Sequence, residues 1–208
     1  MSRLIGIQAG HLNIQNNSDP LLRPETGAPG EMQFNVKVRD ALGQILVSKG
    51  FQVQLDDANT NSDQNTTDKD FAFYLAIHAE FAPPGGEAAE PDPSVDAANH
   101  ESKRIVAAIE SVYFADTGIA DVEKIDNGNM DFYYMWRALS PKTPCGIIEC
   151  GDLNDPHDSV ILADIQRVAK GIAHGICNAF NMPWGTPQSP STDRALLLHI
   201  KDELKNIT

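Results

Sequence analysis

A chain of 208 residues is long enough for one generous domain and too short for two ordinary ones. Its 41% hydrophobic and 22% charged residues supply a real core and exclude disorder, a collagen-like repeat and a coiled coil. Sixteen basic against 29 acidic residues leave a formal charge of −13, which excludes charge-driven binding to nucleic acid or to an anionic membrane, because counterion release needs a basic patch.

Leu4 to Ala9 is a short apolar run that predicts a first strand, and it stops at Gly10-His11. The stretch from Asn13 to Pro29, rich in Asn, Asp, Pro and Gly, reads as a loop. From Gly30 to Lys49, the spacing of Phe34, Val38, Ala41, Leu42, Ile45 and Leu46 gives one apolar helical face, with Gly50 as its stop. Phe51 to Leu55 alternates and predicts a second strand, followed by a polar loop or frayed helix from Asp56 to Asp70. Phe71 to Ala79 is apolar almost throughout, as a strand buried on both faces must be.

Pro83 to Pro93 reads as a flexible surface loop with no strand in it. A helix then places Ser102, Ile105, Ile109 and Val112 on one face. Gly118 to Gly128 is irregular, and Asn129 to Leu139 is a short helix. Pro144 to Cys150 predicts another buried strand. Ile161, Ile165, Val168, Ile172, Ile176 and Ala179 then define one long amphipathic helix.

Strands alternating with helices predict an α/β fold: a single domain with a central, mostly parallel or mixed sheet and helices on both faces. The domain is expected over residues 1–182. Residues 183–208 hold a Pro-containing linker and a C-terminal helix, whose stripe Leu197, Ile200, Leu204 and Ile207 caps its own domain or meets a second copy as a homodimer. No apolar run approaches the ~18–20 residues that membrane insertion needs. The three cysteines, Cys145, Cys150 and Cys177, form no C-x-x-C pair and read as free, buried thiols.

Four polar residues fall where strands end or a helix begins, which is where open α/β sheets collect ligands. They are His11, Glu31, His78 and Glu149. Two histidines and a carboxylate make a catalytic zinc set with a fourth position open for water, and a further carboxylate can serve as general base and then general acid. Each also has a structural reading. His11 suits a loop hydrogen bond, Glu31 a first-turn acid facing the helix dipole, and His78 a satisfied core histidine. Glu149, between Ile148 and Cys150, is the hardest to explain structurally, because an uncompensated buried carboxylate is costly. His100, His157, His174 and His199 read as structural or surface residues. A thiolate ligand at Cys150 is disfavoured because thiolates usually cluster in closed zinc sites.

The order of these residues resembles the zinc-dependent N-acetylmuramoyl-L-alanine amidases, the amidase-3 catalytic domain of cell-wall hydrolases and phage endolysins. The resemblance rests on Ile5-Gly-Ile-Gln-Ala-Gly-His11, on Gly30-Glu31 opening a helix, on Leu75-Ala-Ile-His78-Ala-Glu80, and on Pro144-Cys-Gly-Ile-Ile-Glu149-Cys-Gly151. It continues through Asn154, Asp155 and Asp158 and covers roughly residues 3 to 180. It implies one Zn²⁺ per chain held by His11, Glu31 and His78, with Glu149 activating the water. The implied substrate is the amide between N-acetylmuramic acid and L-alanine in peptidoglycan or muropeptides.

Some positions depart from the family pattern. Ala76 and Glu80 replace the usual Ser and Asn around the second histidine, and Asp152 replaces the usual aromatic. The Gly-containing strand expected after that histidine is missing from the reading of Pro83 to Pro93. Asn129 and Asp131 are candidates to line the groove. No signal peptide is read at the start, so the chain is expected to be made as a cytoplasmic protein that reaches the wall by a separate release or export route. Two alternatives stay open: another zinc amidohydrolase, carboxypeptidase-like or acting on N-acyl amino acids, and an inactive peptidoglycan-binding module.

Overall fold

The computed structural model describes residues 3–11, 27–57, 70–79, 84–91, 98–122 and 139–185. The elements run β1 (Leu4–Ala9), α1 (Glu31–Ser48), β2 (Gln52–Asp57), β3 (Phe73–His78), β4 (Glu87–Ala89), α2 (Asn99–Thr117), β5 (Cys145–Glu149), α3 (Asp158–Leu162) and α4 (Ile165–Ala179). They build one five-stranded sheet in the order β2-β1-β3-β5-β4. The first four strands in that order are mutually parallel, and β4 runs antiparallel on the edge against β5. The mixed α/β sheet with flanking helices is therefore present. Among the described residues no helix is long and apolar enough to cross a membrane.

Strand periodicity sorts the sheet's side chains into two layers. Ile5, Ile7, Phe73, Leu75, Ile77 and Ile148 join the apolar faces of α1, α2 and α4 in the main core. The intervening residues Tyr74, Ala76, Cys145 and Ile147 form a smaller cluster with Phe71 and Leu139. Gly6 serves that second layer, because the Tyr74 ring lies where a Cβ on Gly6 would stand. β3 is buried along its whole length, as its unbroken apolar run requires.

Two expectations need correcting. The segment Pro83 to Pro93 contains β4, whose pairs are Glu87↔Glu149, Ala88↔Ile148 and Ala89↔Ile147. Three residues of Glu and Ala carry almost no strand signal of their own; pairing with β5 supplies the order. The long helix from Ile161 is two helices. α3 ends at Leu162, and Asp164 caps α4 by accepting the Arg167 N–H at 3.0 Å. The apolar spacing runs through this break because both helices bury the same side. Smaller differences concern ends, with β2 continuing to Asp57. The expected helices over 129–139 and 192–208 lie outside the described residues, as do Glu80, Asn129, Asp131 and His199.

After α4 the chain is fastened at the N-terminal edge of the sheet. Lys49 Nζ lies 4.7 Å from the centre of the Trp184 ring, and the His174 ring stacks on Trp184 at 4.7 Å and 10°. His174 is held in turn by Asp116 at 2.8 Å. This histidine is thus half-buried and structural, as expected.

α2 and α4 meet closely because α4 presents two glycines. Gly171 faces Tyr113, and a Cβ on Gly175 would overlap the backbone of Ile109. Backbone cannot move aside as a flexible side chain can. Gly175→Ala is therefore expected to destabilise the fold by about 1–3 kcal/mol, read as a lower urea midpoint at unchanged slope. Wild-type stability in that variant would show that the helices can part without cost.

Candidate active site and metal centre

Strand order reverses between β1 and β3, since β1 is followed by β2 on one side and by β3 on the other. Crevices at such switch points, beyond the carboxyl ends of the strands, hold ligands in open α/β sheets. His11 follows β1, His78 ends β3, and Glu31 is the first residue of α1, so three of the four expected residues surround that point. The fourth, Glu149, ends β5 and is the direct register partner of His78. The structure thus groups His11, Glu31 and His78 and places Glu149 one strand over, in register with His78.

Glu31 Oε1 is central. It lies 3.2 Å from His78 Nδ1 and 3.3 Å from His11 Nε2, and the two imidazoles meet edge to face at 4.9 Å. The same oxygen accepts the Ala79 N–H at 3.2 Å, while Oε2 accepts the Ala28 N–H at 2.8 Å. Asn35, one helical turn along α1, donates to the Gly10 carbonyl at 3.1 Å and reaches Glu31 Oε1 at 3.4 Å. Only 3% of Glu31 and 3% of His78 is exposed.

Burial lowers the pKa of His11 and so favours the neutral ring, against the Glu31 carboxylate, which favours the imidazolium. Burial alone would raise the Glu31 carboxyl, but the His78 hydrogen bond, the two imidazoles and the Ala28 N–H together hold it below its ordinary range.

Glycine makes room for this arrangement. A Cβ on Gly10 would overlap the His78 ring, and one on Gly27, at φ +85°, would overlap both Glu31 and His11. His11 itself adopts φ 61°, a left-handed conformation that His tolerates better than most residues.

The donor set suits a zinc ion. His11, Glu31 and His78 each offer one ligand atom, all within 4.8 Å of one another. Two donors on one tetrahedral zinc lie about 3.3–3.4 Å apart, given bonds of about 2.0–2.1 Å, and the two carboxylate–imidazole separations match that edge. Three protein ligands leave a fourth position open. A second grouping, Asp155, His157 and Asp158, is a turn in which Asp155 Oδ1 accepts the N–H groups of His157 and Asp158. Cys150 is no ligand. It packs into the main core, and burial pushes its thiol well above the ordinary range.

One buried acid escaped the sequence reading. Glu87, 8% exposed, stands directly across the ladder from Glu149, itself 5% exposed, so both lie in one row with His78. Its signal in the sequence is no more than a carboxylate among small residues after Gly85-Gly86. Asp158, named from the sequence only as part of the resemblance, is 2% exposed. Asp152, where the family has an aromatic residue, is buried and closes a local turn by accepting the Asn154 N–H at 2.8 Å.

Glu110, on α2, accepts the Ala88 N–H at the outer edge of β4. Partial burial, then Asp121, Glu87 and Glu90, push its carboxyl up to about 7 from 4.5. The folded state therefore holds a proton that the unfolded chain releases. Its stabilising effect is complete below pH 4.5 and is lost as pH rises through about 7. Relative to Glu110→Gln, the wild-type Tm should fall between pH 5 and 7.5, and parallel Tm profiles for the two proteins would refute the shift.

No protein-family model and no curated protein sequence matches the chain. Solved structures do. The catalytic domain of CwlV, an N-acetylmuramoyl-L-alanine amidase from Bacillus (Paenibacillus) polymyxa var. colistinus, aligns with TM-score 0.60 and 19% identity, covering 88% of this chain and 100% of that one. The amidase Ami1 from Mycobacterium smegmatis gives TM-score 0.65 and 19% identity over 86% and 96% of the two chains. The catalytic domain of the endolysin CD27L, which targets Clostridia difficile, gives 0.62 and 14% over 85% and 97%. From the first strand to the last core helix, this chain has the fold of the catalytic domains of N-acetylmuramoyl-L-alanine amidases.

Proposed function

We propose that the protein is a zinc-dependent hydrolase that cleaves the amide between N-acetylmuramic acid and L-alanine in peptidoglycan or muropeptides. The observation that carries this reading is the convergence of His11, Glu31 and His78 into one three-donor group, with Glu149 beside His78 in the sheet, on the amidase fold.

A bound zinc ion supplies Lewis-acid polarisation of the scissile carbonyl and a water of lowered pKa. Glu31, His11 and His78 would hold the ion. Ala28 N–H, Ala79 N–H and Asn35 fix the Glu31 carboxylate, so the ligand set is oriented before metal arrives. Glu149 takes the proton of the attacking water. The carbon–nitrogen bond then breaks, and Glu149 delivers that proton to the departing amine of L-alanine. The lactyl side leaves as a carboxylate, so the step is balanced by one water.

Metal analysis paired with muropeptide hydrolysis tests the assignment. Wild type should carry one zinc per chain and release the peptide from muramic acid. Glu149→Gln should keep the zinc and lose about 10²–10⁴ in kcat, whereas His78→Ala should lose the metal as well. Cleavage of N-acyl amino acids without muropeptide cleavage would keep the site chemistry and discard the substrate. Failure to bind zinc after chelation and reloading would leave a non-catalytic module.

The C-terminal stripe of Leu197, Ile200, Leu204 and Ile207 is proposed to contact a second copy. The apolar spacing of these four residues supports this, because a helical stripe needs a surface to cover it. The double substitution Leu197→Asp/Ile200→Asp should turn a dimer into a monomer in light scattering while muropeptide cleavage persists. A monomeric wild type would refute the contact.

A further inference from the structure

The general base must be aimed as well as present, and the backbone on both sides of Glu149 is unusually well fastened. On its own strand, the residue after it is held twice: Cys150 N–H donates to the His78 carbonyl at 2.9 Å, and the Cys150 carbonyl accepts the buried Tyr113 hydroxyl at 2.7 Å. Across the ladder, Gly86 approaches so closely that a Cβ there would overlap the Glu149 carbonyl. Gly86 is itself tied to Ala120 and Val122 at 2.8 and 2.9 Å. One side chain joins these two stretches. Asp158 Oδ2 accepts the Gly85 N–H at 2.7 Å, just before β4, and the Asp152 N–H at 3.2 Å, just after β5.

We propose that Asp158 is a positioning residue for Glu149, clamping the chain that leads into β4 to the chain that leaves β5. The clamp sits one residue from Gly86 on one side and three residues beyond Glu149 on the other. Releasing it frees the β4 end that carries Glu87 and loosens the turn that fixes where Glu149 points.

Other features fit this role. Gly151, in the turn between Glu149 and Asp158, adopts φ +144°, and a Cβ there would press on Ile119 at 2.9 Å, so glycine keeps this turn in place. Burial alone would raise the Asp158 carboxyl, but His157 and the two backbone donors lower it below its ordinary range, which keeps it a charged acceptor. Asp158 is not among the residues that offer the zinc its ligands. Its function is to hold the residue that moves the proton.

The proposal rests on the amidase reading for the reaction that is measured, and hydrogen exchange gives it a readout of its own. Asp158→Ala should keep one zinc per chain and a KM within about threefold of wild type, with kcat lower by about 10–100-fold, the scale of loss from misplacing a reacting group. Exchange at the Gly85 and Asp152 amides should accelerate in parallel. Asp158→Asn, whose remaining oxygen can still accept from both amides, should recover most of kcat. The proposal is overturned if folded Asp158→Ala keeps kcat within twofold, if the loss lies in KM, or if exchange at the two amides is unchanged.

Should Asp158→Ala fail to fold, Asp158→Ser, whose shorter side chain reaches neither amide, carries the test, and unchanged exchange at the two amides in it overturns the clamp. Faster exchange at both amides with a fall in kcat supports the clamp; faster exchange at wild-type kcat overturns it. Wild-type protein that cleaves no muropeptide sinks the substrate reading instead. That outcome is told apart because exchange at the two amides still separates wild type from variant.

Discussion

The structure is organised around one buried carboxylate. Glu31 is nearly inaccessible to water, and a carboxylate in that position is tolerated only when it is paired and hydrogen-bonded. Two imidazoles, two backbone N–H groups and the Asn35 amide meet that demand from four different parts of the chain. Each of them constrains something else. The Ala28 N–H fixes the turn before α1, the Ala79 N–H fixes the end of β3, and Asn35 ties α1 to Gly10. Gly10 and Gly27 then lack side chains because the imidazoles and the carboxylate occupy the space.

The same logic extends along the sheet. His78, Glu149 and Glu87 lie in one row across β3, β5 and β4, so the edge that holds the His-Glu-His group grades into an acidic edge. β4 is only three residues long, and it is the outermost strand. Short edge strands protected by charge are a common means of keeping a sheet from pairing with another chain. Here Glu110 takes the outward N–H of Ala88, at the expense of placing a further carboxylate beside Glu87, Glu90 and Asp121. A strand that starts beside Glu149 is thus held by a contact sensitive to pH on its outer side and by the Asp158 carboxylate just before it.

Rigidity is distributed unevenly for a reason. The helices that back the sheet are locked by close contact, with Gly175 against Ile109 and the Trp184 sandwich at the far edge. That packing sits behind the strands and gives the site a fixed platform. The site itself is built from strand ends, a helix start and turns, where backbone donors are free to be used.

Periodicity along the chain determined the parallel core of this protein. Unbroken apolar runs at β3 and β5 can be satisfied only inside a covered sheet, and the 3.6-residue stripes of α1 and α4 only against it. The order Gly-His, Glu, His, Glu was legible through its resemblance to the amidase-3 domain, since placement at strand ends and a helix start does not by itself single out these four from the other acids and histidines. Tertiary structure alone decided the rest. Glu87 becomes part of the site only through its register with Glu149, and β4 exists only because β5 offers it an edge. The α3–α4 break leaves the apolar stripe intact, so spacing could not reveal it. Asp158 joins Gly85 to Asp152 across a sequence separation that no local pattern records. Local sequence encodes which face of an element is apolar; which backbone N–H a buried carboxylate will find depends on where the elements pack.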